Sequence, residues 1–148
     1  MNQNKITWLL AFLISSMIIT MFIPAMLESK ELTLIDHINS VRSKPLKEDK
    51  FLTGLAALRC KSMVEWSHNG YPSYEILYKT TRWGIVNRNK YAGENLAEGY
   101  TKDVEIFKAL QNSPLHKGNN ESLEFQKVGI AKCINKVGNV TVILFAGN

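Results

Sequence analysis

Two of the three histidines, His68 and His116, bracket Glu94, a glutamate that sits beside Gly93. Each lies in a short polar stretch. The three are Trp66-Ser67-His68-Asn69-Gly70, then Tyr91-Ala92-Gly93-Glu94-Asn95-Leu96-Ala97-Glu98-Gly99-Tyr100, then Asn112-Ser113-Pro114-Leu115-His116-Lys117. Brought together, these side chains could do two kinds of chemistry. Two neutral imidazoles bind Zn²⁺ at about 2.0–2.1 Å, and a carboxylate can orient one of them through its other ring nitrogen. Alternatively, a histidine and a glutamate form an acid/base pair, because imidazole titrates near neutral pH. A third reading is purely structural. In it Glu94 and Asn95 pin loops by accepting backbone N–H bonds, and the histidines line a wet groove. No nucleophile stands out. Ser67 and Ser113 neighbour the histidines, but there is no G-x-S-x-G turn and no triad order. There is also no P-loop, C-x-x-C or dinucleotide fingerprint.

The elements that must position these residues are legible from periodicity. Leu32, Leu34, Ile35, Ile38 and Val41 recur at helical spacing, Thr33-x-x-Asp36 can open that helix, and Pro45 ends it. A second helix is predicted from Lys50 to Trp66, with Leu52, Leu55, Ala56, Met63 and Trp66 on its buried face. Asn69-Gly70 marks a turn, and Ser73 can cap a short helix through Tyr78. Thr101 is the expected N-cap of a further helix whose inner face carries Val104, Phe107 and Leu110. The chain then turns to β structure. Val128, Ile130 and Lys132 alternate on one face, a turn lies near Val137-Gly138-Asn139, and Val140 to Phe145 is apolar enough for a strand covered on both faces.

The chain has 148 residues, enough for one domain around a single core. Its net charge is +5, and only Lys5 is charged within the first 27 residues. The basic residues are scattered, so composition gives no reason to expect a nucleic-acid partner. Ile6 to Leu27 holds no charged residue and is long enough to cross a hydrocarbon core of about 30 Å as a helix. We read residues 1–27 as a signal anchor or signal peptide, 28–31 as a short linker and 32–148 as the folded domain. The partner of residues 6–27 is then a membrane, and the domain is extracytoplasmic, either membrane-anchored or secreted. Lysines after the segment do not favour that orientation by positive-inside counting. Cys60 and Cys133 are an even pair in a chain of this kind and can form one disulfide, or else pack as buried thiols. Cys60 falls on the second helix, and Cys133 ends a strand that this helix should cover.

The order S-H, G-E-N-L-A, N-S-P-x-H and V-G-I resembles the CAP family, also called the SCP domain, in its short bacterial-type branch. The resemblance covers roughly residues 32–148 and takes in Ile38-Asn39-Ser40-Val41-Arg42 before Pro45-Leu46. It implies an α+β fold, a three-layer α-β-α sandwich, preceded here by the N-terminal transmembrane or signal helix. It also implies a shallow cavity with two histidines and two glutamates. His68, Glu94 and His116 match three of those positions, and Asn95 and Ser113 line the same groove. Ser113 stands where the second glutamate is expected, Leu115 replaces a glycine and Lys117 an arginine. The incomplete set argues against an enzyme. The resemblance thus implies an exported domain that binds a small apolar ligand, a wall component or a protein partner. The competing expectation is a metal-assisted, peptidase-like hydrolase using the same residues. No cofactor is required. A divalent metal such as zinc, held weakly by His68 and His116, is the one the residue types would take. Asn120-Glu121-Ser122 and Asn139-Val140-Thr141 fit the glycosylation acceptor pattern.

Overall fold

The structure is a computed structural model that describes residues 31–65, 85, 88–135 and 138–148. The apolar segment, the Trp66–Gly70 motif with His68, and the helix expected after Ser73 lie outside the described residues. Leu32–Asn148 forms one compact unit. Among the described residues no helix is long and apolar enough to cross a membrane.

Four helices and a four-stranded mixed sheet make up the described fold. Helix α1 is Leu34–Ser40, β1 Lys47–Glu48, α2 Lys50–Glu65, β2 Tyr91–Glu98, α3 Asp103–Gln111, α4 Pro114–Glu121, β3 Lys127–Asn135 and β4 Gly138–Gly147. The strand order is β1-β3-β4-β2. β1 runs parallel to β3, and the other two pairings are antiparallel.

The opening of α1 follows the sequence closely. The Thr33 hydroxyl accepts from Asp36 N–H, and the Thr33 N–H donates to the Asp36 carboxylate at 2.9 Å. The end does not. α1 stops before Val41, well ahead of Pro45, because Asn39 bonds the Leu46 backbone in both directions and folds the chain back. Leu34 and Ile38 are buried, while Leu32 and Val41, at the ends of the expected stripe, are exposed. α3 begins one residue later than expected. Its N-cap is Lys102, with no side-chain cap, and Asp103 in the first turn accepts from Leu34 N–H and pairs with Lys132. Its buried residues are Ile106 and Leu110, so the inner face is rotated from the expected Val104-Phe107-Leu110 line.

β4 is the centre of the core. From Val140 to Gly147 it is buried throughout, as its apolar run predicts for a strand covered on both faces. Val140, Val142, Leu144 and Ala146 pack with Leu52, Ala56, Cys60 and Ile85. Ile143 and Phe145 pack with Leu34, Ile38, Ile106, Leu110, Phe125 and Val128. Helices therefore cover both faces, α2 on one and α1 and α3 on the other. The α2 contact is close. A Cβ on Gly129 would overlap the backbone of Leu52 and Thr53, so glycine lets the helix sit directly on β3. β1 went unforeseen because two exposed charged residues carry no strand pattern.

Candidate functional site

Strand alternation divides the central motif between two layers. Successive residues of β2 project to opposite faces of the sheet. Glu94 is paired in register with Leu144, and Asn95 with Ile143. Glu94 thus lies on the α2 side and Asn95 on the side of α3 and α4.

On the α2 side the Glu94 carboxylate meets Arg59. Nε of Arg59 donates to Glu94 Oε2 at 3.1 Å, and Nη2 donates to Oε1 at 3.4 Å. The Arg59 side chain has no solvent exposure, and that of Glu94 has 14%. Such a side-on pair is a strong charge-assisted contact, and burial makes each member depend on the other. The next residue of α2, Cys60, is bonded to Cys133 on β3, with Cα atoms 6.0 Å apart. The expected disulfide is thus present.

On the other side lies a chain of side-chain amides. Asn95 Nδ2 donates to the His116 carbonyl at 2.9 Å and to Asn120 Oδ1 at 3.0 Å. Asn119 Nδ2 donates to Asn95 Oδ1 at 2.8 Å and to the Glu94 carbonyl at 3.1 Å. Asn120 continues to Gln111, and Gln111 to Glu121. Asn95 and Asn120 are fully buried, and the polar atoms of the Asn95 side chain are all engaged. Burial of so many polar groups is tolerable only with such pairing. It also rules out Asn120 as a glycan acceptor in the folded domain. Gly93 completes the corner, because a Cβ there would strike the Phe125 ring.

His116 sits on α4, not in a turn. It precedes Asn119 and Asn120 by three and four residues, which puts it on the helix face that meets β2, and it is half-buried. Ser113 occupies the N-cap position, with Pro114 at the first helical position. Arg42 anchors the far end of this layer. Its guanidinium donates to the carbonyls of Asn120, Phe125 and Lys44 at 2.6, 2.8 and 3.1 Å. Burial lowers its pKa from the usual arginine value. Among the described residues, no three His, Cys, Asp or Glu side chains converge as metal ligands.

No family model and no curated protein matches the chain. Solved structures do. An outer surface protein from Borrelia burgdorferi aligns over 78% of this chain and 90% of its own, with a TM-score of 0.60 and 20% identity. An extracellular protein containing a SCP domain, from Bacillus anthracis, aligns over 78% of this chain with a TM-score of 0.59 and 22% identity. A cysteine-rich secretory protein from Staphylococcus aureus gives 78%, 0.61 and 15%. The fold is that of the SCP domain. This chain spans 39% and 37% of the Bacillus and Staphylococcus chains.

On this SCP fold, the motif residues Glu94 and Asn95 are both committed to neighbours in the described structure. Among the described residues, the partner of the Glu94 carboxylate is the Arg59 guanidinium. Sequence reasoning missed Arg59, although the signal was present. Arg59 follows Leu52 and Ala56 on the same helical stripe, and a charge inside an apolar stripe needs a counter-charge. It also missed α4 and its amides. Ser113-Pro114 was the available sign, a Pro-led helix start.

Proposed function

We propose that this is an exported CAP/SCP-domain protein, a three-layer sandwich tethered to a membrane through residues 6–27, that binds its ligand without transforming it. The observation that carries this reading is the engagement of Glu94 by Arg59. A hydrolase built on His68, Glu94 and His116 needs that carboxylate at the histidines, and the second glutamate of the full set is Ser113 here. The groove around His68, Glu94, Asn95, Ser113 and His116 would then take a small apolar ligand, a wall component or a protein segment. Export is supported by the Cys60–Cys133 bridge, which belongs to an oxidising compartment. It is also supported by the outer-surface, extracellular and secretory descriptions of the proteins that share the fold.

Calorimetric titration of the full chain with zinc tests the reading. The native protein and the His68→Ala/His116→Ala variant should give the same weak heat. A zinc site lost with the two histidines, and weakened about 10–100-fold by Glu94→Gln, would replace this reading with the metal-assisted hydrolase.

A further inference from the structure

We propose that one end of the sheet is an electrostatic docking surface for an anionic phospholipid bilayer. Register places Lys47 of β1 beside Lys127 of β3. Lys127 shares its face with Gly129, over which the first turn of α2 lies. Lys50 opens that turn. Beside it, the Arg88 guanidinium carbon stands 4.2 Å from the centre of the Phe51 ring. Lys90 Nζ stands 5.1 Å from the centre of the Tyr91 ring, and Tyr91 pairs with Gly147 where β4 finishes. Five cations from four parts of the chain thus rim one end of the fold. Lys47, Lys50, Arg88 and Lys90 are exposed, and Lys127 is half-buried.

Acidic groups at this end are fewer than the cations. Glu48 pairs in register with Val128, on the face opposite Lys47 and Lys127. The Asp49 carboxylate accepts from Leu52 N–H at the start of α2. Glu124 is exposed just before β3. The cations also keep aromatic company, since Phe51 is 37% exposed beneath Arg88. Aromatic rings beside Lys and Arg suit the headgroup layer, where the ring meets acyl chain ends and the cations meet phosphate. A duplex nucleic acid would call for a stripe of charge along a face or groove, and these charges are confined to one end. The inference rests on the membrane-tethered reading, because Ile6–Leu27 is what would keep the rim close to a bilayer.

Lysine footprinting of the full chain tests it. The chain is reconstituted in phosphatidylcholine vesicles with and without phosphatidylglycerol, and acylation is read at each lysine. Labelling at Lys47, Lys50, Lys90 and Lys127 should fall several-fold with the anionic lipid, while Lys102 and Lys108 stay unchanged. High salt should restore it. Each cation near an anionic surface is worth roughly five-fold in partitioning, so Lys47→Glu/Lys50→Glu, which removes two cations and adds two anions, should abolish the protection of Lys90 and Lys127. Equal labelling in both vesicles overturns the proposal, as does uniform protection of every lysine. Stronger protection by soluble polyphosphate than by the anionic vesicles overturns it too. Flotation with neutral vesicles reports the tether separately. A chain that fails to float there refutes the tether, and the lysine comparison still decides the rim.

Discussion

Replacing Glu94 by Gln should destabilise the domain even with no ligand or metal in solution. The change keeps the side chain's shape and one acceptor oxygen. It removes the negative charge from beside a guanidinium that has no solvent exposure, at 3.1 Å. Breaking a buried pair by removing one partner costs about 3–5 kcal/mol. The 14% exposure of the carboxylate side chain puts this case at the lower end, about 3 kcal/mol. With a urea m-value on the order of 1.5 kcal/mol/M, the unfolding midpoint falls by about 2 M. Circular dichroism of the full chain in nonionic detergent reads this directly. Arg59→Met should cost a similar amount, since it strands the carboxylate. The double variant should be well short of the sum of the two single changes, because removing the pair as a unit leaves neither charge facing an empty site. The reasoning fails if the two single changes add, with a coupling below about 0.5 kcal/mol. Glu94 would then be no structural partner of Arg59, and its role would have to be sought at the histidines.

Other perturbations probe the remaining contacts. Reducing Cys60–Cys133, which closes a separation of 73 residues, should lower stability by about 4 kcal/mol, measured as a urea midpoint shift with and without a dithiol. Asn95→Ala takes the Asn95 donor from Asn120 Oδ1 and removes one partner each from the His116 carbonyl and the Asn119 amide, and should cost about 3 kcal/mol in the same assay. Gly129→Ala should cost more than about 3 kcal/mol, because α2 must lift from β3 to admit the methyl group, and a near-native midpoint would contradict the close contact.

What the sequence revealed and what it hid follow from range. The capping box at Thr33, the apolar run of β4 and the motif order S-H, G-E-N, P-x-H are local patterns, and the first two stand in the structure as expected. The Cys60–Cys133 pair was legible because a helix and a strand each had a strong pattern that put them in contact. The partners of Glu94 and Asn95 were not legible. Arg59 lies 35 residues before Glu94, and Asn120 lies 25 after Asn95. The apolar stripe of α2 marks Arg59 as needing a counter-charge, but nothing in that segment names Glu94, and an Asn-Asn pair is an ordinary surface feature until the layers assemble. α1 shows the same limit on a smaller scale. Pro45 is a sufficient stop, but the Asn39–Leu46 bonds end the helix first.

The division of Glu94 and Asn95 between two faces bears on the order in which the chain folds. β3 and β4 form a local hairpin and can assemble early. β2 is the outermost described strand on its side, and its two clamps come from opposite directions in the chain, α2 from before it and α4 from after it. The Arg59 clamp closes only once α2 has docked and the Asn119 clamp only once α4 has, and loop-closure entropy must be met before either contact rewards it. β2 is therefore fully locked only after both helices have docked, and loses one of its clamps when either helix loosens. A lesion far from the motif, in α2 or in α4, would be felt first as a loss of order at Gly93-Glu94-Asn95. The segment that looks most like a site is then also the fold's report on its own completion.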